Sequence, residues 1–231
     1  MDVAEQTAAQ RLVAFLIQAL KESDGRIRVE DLISASAAIA GERCIEAAGD
    51  FNPRHHQFVP GSHVFSDKVN TLICGDVDDL DAVPETSAIG ILRDRLLGHQ
   101  YDVEHFPSIA DVFRNFAAKI GDKADWGRVP LTVPEENRPY LMPLRVEFET
   151  RANVDKLIGG GDAARAFRIA MLALAEALGQ VREAIDPRVV LLLAFETLNG
   201  MAKTAPMTAE AFQRVAAPAK PAASKPWWRF W

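Results

Sequence analysis

Leu12, Leu16 and Leu20 recur every four residues, with Val13 and Ile17 beside them, and this spacing lays one apolar stripe along a helix. The same period returns late in the chain, where Phe167, Met171, Leu174, Leu178 and Val181 follow Asp162, a good N-cap. Between and beyond them, start and stop residues repeat in helical register. Val29 to Ala48 carries Leu32, Ile33, Ile39 and Ile45 among small residues, which predicts an interior helix that lets its neighbours approach closely, ended by Gly49. Ser66 starts a short helix to Cys74, Thr86 or Ser87 one through Leu97, and Ser108 with Asp111 one through Ile120. Asp186-Pro187 opens a helix that Asn199-Gly200 is expected to close, and Thr208 opens a last one to Val215. The pattern predicts a mainly α protein, a multi-helix bundle of about eight helices.

One stretch breaks the period. Asp122 to Pro143 holds Pro130, Pro134, Pro139 and Pro143, too many for a helix. Leu144, Val146 and Phe148 alternate with Arg145, Glu147 and Glu149, the period of a half-buried strand, with Val129 to Val133 as antiparallel partner, so one small β-hairpin is expected here. The division that follows is an N-terminal helical lobe (1–121), the hairpin with a C-terminal helical lobe (122–216), the two lobes also being readable as one domain, and a flexible basic-aromatic tail (217–231).

Apolar residues make up 48% of the 231 and charged residues 25%, enough for an ordinary core without staples. The formal net charge of -6 argues against nucleic acid as a partner. With only two cysteines and no leader-like opening, a reducing cytoplasm is the expected compartment. The longest apolar run, Val189 to Phe195, falls far short of the roughly 18 residues a spanning helix needs.

The tail is the least random feature. Three of the four tryptophans fall in Trp227, Trp228, Arg229, Phe230 and Trp231, beyond an Ala/Pro/Lys/Ser segment that cannot bury them. These five residues are the candidate partner or membrane contact. They would dock in a protein partner's pocket, sit at the cytoplasmic membrane surface with Lys220 and Lys225 near anionic lipids, or fold back on their own domain.

A second concentration is histidine. His55, His56, His63, His99 and His105 all lie in one window that also holds Cys74, Asp76, Asp78 and Asp81. His55, His56 and His63 are the candidate ligands of a divalent metal, although no diagnostic ligand spacing accompanies them. The acidic run Asp76 to Asp81 lacks the glycine and closing glutamate of a calcium loop and reads as a solvated connector. Gly159, Gly161 and Ala164 spell a dinucleotide-type turn whose context favours a helix cap instead. Cys44 and Cys74 read as inert buried thiols, and Ser62 beside His63 is adjacency alone.

No catalytic motif emerges and no cofactor is expected. The expected function is therefore that of a non-enzymatic interaction or adaptor protein whose body recognises a protein partner and whose tail is a secondary tether. The alternatives are a metal-dependent hydrolase built on the loops 55–63 and 99–105, and a structural homo-oligomer formed through the small-residue helix at Ser34 to Gly41.

Overall fold

The computed structural model describes residues 2–50, 58–75, 79–97, 101–120, 129–159 and 161–216. Among them are nine α-helices and no strand: α1 Val3–Ala19, α2 Val29–Ala48, α3 Asp67–Cys74, α4 Ala88–Leu96, α5 Ile109–Ala117, α6 Pro143–Ile158, α7 Ala163–Val181, α8 Pro187–Met201 and α9 Ala209–Ala216. No helix among the described residues is long and apolar enough to cross a membrane.

The cap residues act as their chemistry requires. Ser66, Ser87, Ser108 and Asp162 each accept a hydrogen bond from the backbone N–H three residues on, satisfying one donor that the first turn leaves open. Asp186 does the same for Arg188, with Pro187 at the first helical position.

Helix α2 is the axis of the bundle. Every residue from Asp31 to Ile45 is buried, because α7, α8, α6, α3 and α1 all pack on it. The small residues that suggested close approach make it within the chain: a Cβ on Gly41 would lie 2.8 Å from the Ala202 nitrogen, the Leu198 oxygen and the Met201 Cβ at the end of α8. One continuous core runs from Ala9 to Ala202 and takes residues from both halves of the sequence.

The expected β-hairpin is absent from the described residues. Leu144 to Glu149 is helical, part of α6, with Pro143 preset at its first turn. Besides Pro143 and Val146, burial falls on Leu144, Glu147, Thr150, Val154 and Ile158, the spacing of a helix. Glu147 is 1% exposed, whereas the strand register would have put it in solvent. It is buried because a helix brings it to Arg151 four residues on, and a strand would not. Val129 to Val133 forms no ladder. Thr132 is held instead by Glu196 of α8, which accepts from its backbone N–H (2.8 Å) and its hydroxyl (2.6 Å). The stop expected at Asn199-Gly200 is also overridden. Helix α8 runs on to Met201, with Asn199 enclosed and Val129 packed where a Gly200 side chain would stand.

Candidate functional site

Three constellations carry the chemistry of the described surface and interior. The first is a groove of about 450 Å³ between the end of α5 and the proline-rich segment 129–143. Its walls include Lys119, Pro130, Leu131, Arg138, Tyr140 and Leu141. Tyr140 is 77% exposed and Leu141 41%, unusual for apolar residues in a segment so firmly held. The start of α2 does the holding. Arg28 donates to the carbonyls of Glu136 (2.5 Å) and Arg138 (3.1 Å) and stacks its guanidinium 3.8 Å from the Tyr140 ring centre. Asp31 accepts from the Leu141 N–H (2.9 Å), and Glu30 accepts from the Asn137 amide (3.2 Å). With Glu196 fixing Thr132, the segment is pinned at both ends by side chains of two core helices. It is a preformed wall, and binding there forfeits little conformational entropy.

The second constellation surrounds Lys203, which is 5% exposed. Its Nζ donates to Asn199 Oδ1 (2.6 Å) and lies 3.6 Å from the Phe113 ring centre and 5.6 Å from that of Phe116. The backbone around it pairs with residues 61–64: Val64 N–H donates to the Lys203 carbonyl, and His63 bridges to Thr204. His63 stands edge-on to Phe116 with centroids 5.0 Å apart, and burial holds it below the usual histidine range. Burial likewise depresses Lys203 to about 8, partly countered by Cys74 and Cys44. Burial pushes the Cys44 thiol up to about 12 and the Tyr101 hydroxyl, which donates to the Leu178 carbonyl, also to about 12.

These shifts fix an alkaline stability profile. Above pH 8 the folded state has lost the Lys203 proton while an unfolded lysine keeps its own to about 10.5, so stability rises with pH. From about pH 9 the unfolded Cys44 thiol ionises while the folded one does not, and from about pH 10 Tyr101 follows, each lowering stability. Unfolding free energies from urea titrations in low-halide buffer should climb by roughly 0.5 kcal/mol between pH 8 and 9, level off, and fall above pH 10. Lys203→Met should abolish the climb; a climb that survives in this variant would refute the assignment.

The third constellation is an ion network between α2 and α6. Glu42 and Glu147, 2% and 1% exposed, share Arg151, whose Nε lies 3.0 Å from Glu42 and whose Nη2 lies 2.6 Å from Glu147. Arg151 Nη1 donates to the Met207 carbonyl (3.1 Å), tying in the chain before α9. Arg43 bridges Glu46 (2.6 Å) and Asp155 (2.7 Å). Burial, and then the adjacent Glu147, raise the Glu42 carboxyl well above its ordinary range. Glu42 therefore holds its proton at pH values where an exposed glutamate has lost it.

Of the residues singled out in the sequence, His63 belongs to the Lys203 cluster, and His105 accepts from the Asp102 N–H (2.9 Å) as a turn cap against Tyr101. His55, His56, His99, Asp76, Asp78 and Trp227 to Trp231 lie outside the described residues. Among the described residues no three histidine, cysteine, aspartate or glutamate side chains are placed to hold a metal ion. Asp79 accepts from the Asp81 N–H as a turn cap, Gly159 ends helix α6, and Asp162 caps α7. Lys203, Glu42, Glu147 and Arg151 escaped sequence reasoning. The Glu147/Arg151 spacing was the one local sign, legible only once the segment is read as a helix. Comparison of the chain with known protein families, curated proteins and solved structures finds no match.

Proposed function

We propose that this chain is an interaction module whose groove between α5 and the segment 129–143 receives an extended, apolar stretch of a protein partner flanked by acidic residues. The pinned groove with Tyr140 and Leu141 exposed in it is the observation that carries this reading. Exposed aromatic and aliphatic side chains on a rigid wall are the ingredients of binding hot spots. The exposed cations Lys119 and Arg138 favour acidic flanks. They also disfavour the protein's own tail, whose Lys220, Lys225 and Arg229 carry the same sign. The tail, Trp227 to Trp231, is then left for a second contact, at a partner or at an anionic cytoplasmic membrane surface.

A labelled peptide with a Leu-Trp-Phe core between glutamates should bind the full chain in an anisotropy titration, and the same core between lysines should not. Arg138→Glu and Tyr140→Ala should each weaken binding at least about tenfold. Preference for the lysine-flanked peptide, or indifference to both, removes the groove reading. A version ending at Ala216 should keep the peptide affinity and lose flotation with anionic vesicles; equal flotation by both versions removes the tether.

A further inference from the structure

The Lys203 cluster has two donors and too few acceptors. An ammonium offers three N–H groups. At Lys203 one goes to Asn199 Oδ1 and the Phe113 face covers a second side, while no carboxylate among the described residues pairs with it. The other described lysines, Lys21, Lys68, Lys119 and Lys156, are all exposed, so only this one meets the problem. Asn199 is 1% exposed, and its Nδ2 is buried without a hydrogen-bond partner. That nitrogen belongs to the same amide that holds Lys203 Nζ, so two donors in want of an acceptor stand side by side. A buried cation without a carboxylate partner is costly, and an unfilled amide donor adds to that cost.

We propose that Lys203 Nζ and Asn199 Nδ2 together form an enclosed site for a small monovalent anion of the halide class. One anion answers both deficits, supplying the counter-charge for the ammonium and the acceptor for the amide. The remaining surroundings do not compete for the role. Helix α2 contributes the Cys44 thiol, which burial keeps protonated, α3 contributes Cys74, and the segment beside Thr204 contributes His63, which burial keeps neutral near pH 7. None of these is a carboxylate, and the two cysteines only partly counter the burial that depresses Lys203. A water would satisfy Nδ2 but would leave the charge uncompensated, and this difference is what an experiment can read.

Melting temperatures of the full chain would be followed as bromide replaces gluconate at constant ionic strength, near pH 7 and near pH 10. The expected result is a rise of roughly 3 °C or more near pH 7 that vanishes near pH 10, where Lys203 has lost its proton, and vanishes in Lys203→Met. No bromide-specific rise, or one that persists near pH 10 or in Lys203→Met, overturns the site. Crystals of the parent protein soaked in bromide give a second reading that no variant's folding can confound. An anomalous peak within hydrogen-bond distance of both nitrogens is expected; a water in that place overturns the proposal.

Discussion

Arg151→Met should cost about 3–5 kcal/mol, because it takes the cation from the Glu147 carboxylate, which cannot reach water, and one of the two arginines from beside Glu42. The methionine stem refills most of the volume, so the loss is electrostatic and reversible by further substitution. Adding Glu42→Gln and Glu147→Gln to Arg151→Met should restore at least half of it. Urea unfolding of the three proteins measures both steps, and a loss that the glutamines leave untouched would place the effect in packing instead. Glu42→Gln alone should stabilise the parent near pH 7. The sign follows from the raised carboxyl: above about pH 4 the unfolded glutamate gains free energy by ionising while the folded one is held back, and the amide removes that difference. The gain should fade as pH falls below about 4, where both states carry the proton.

Gly41→Ala should lower stability by about 2 kcal/mol, against the gain of roughly 1 kcal/mol that helix propensity alone would give. The added methyl would meet backbone atoms of α8 at 2.8 Å, and a backbone cannot turn aside as a side chain can. The two most buried helices would have to separate. A fall of roughly 4–8 °C in melting temperature is expected by calorimetry, and an unchanged or raised value would mean that the crossing has slack.

What could be read from the sequence was whatever a few neighbouring residues decide. Ser66, Ser87, Ser108, Asp162 and Asp186 announce their helices because a cap acts within three residues. Leu144 to Glu149 misled because six residues fit two periods at once, and the choice rests on Arg151 and on the α2 face carrying Glu42, both beyond the window. Asn199-Gly200 misled for a related reason. The glycine answers to packing instead: Val129, some seventy residues earlier, lies where a Gly200 side chain would stand. The prolines of 130–143 were visible as an anomaly, yet the groove they wall exists because Arg28, Asp31 and Glu196 hold them, and nothing local reports that. Lys203 had no sequence signature at all, since its enclosure is assembled from α5, from α8 and from residues 61–64.

The placement of α2 has a consequence for how the chain comes to be folded. Its segment is synthesised early, but the helices that cover it most fully, α7 and α8, are among the last to leave the ribosome. Until then Leu32, Ile33, Ile39 and Ile45 have no permanent cover, and α1 and α3 alone leave much of the stripe wet. Completing this bundle thus waits on pairings far apart in sequence, α2 with α7 and α2 with α8, which slows folding for a helical protein. A mutation that delays α7 should therefore reduce yield in the cell before it measurably reduces the stability of the finished fold.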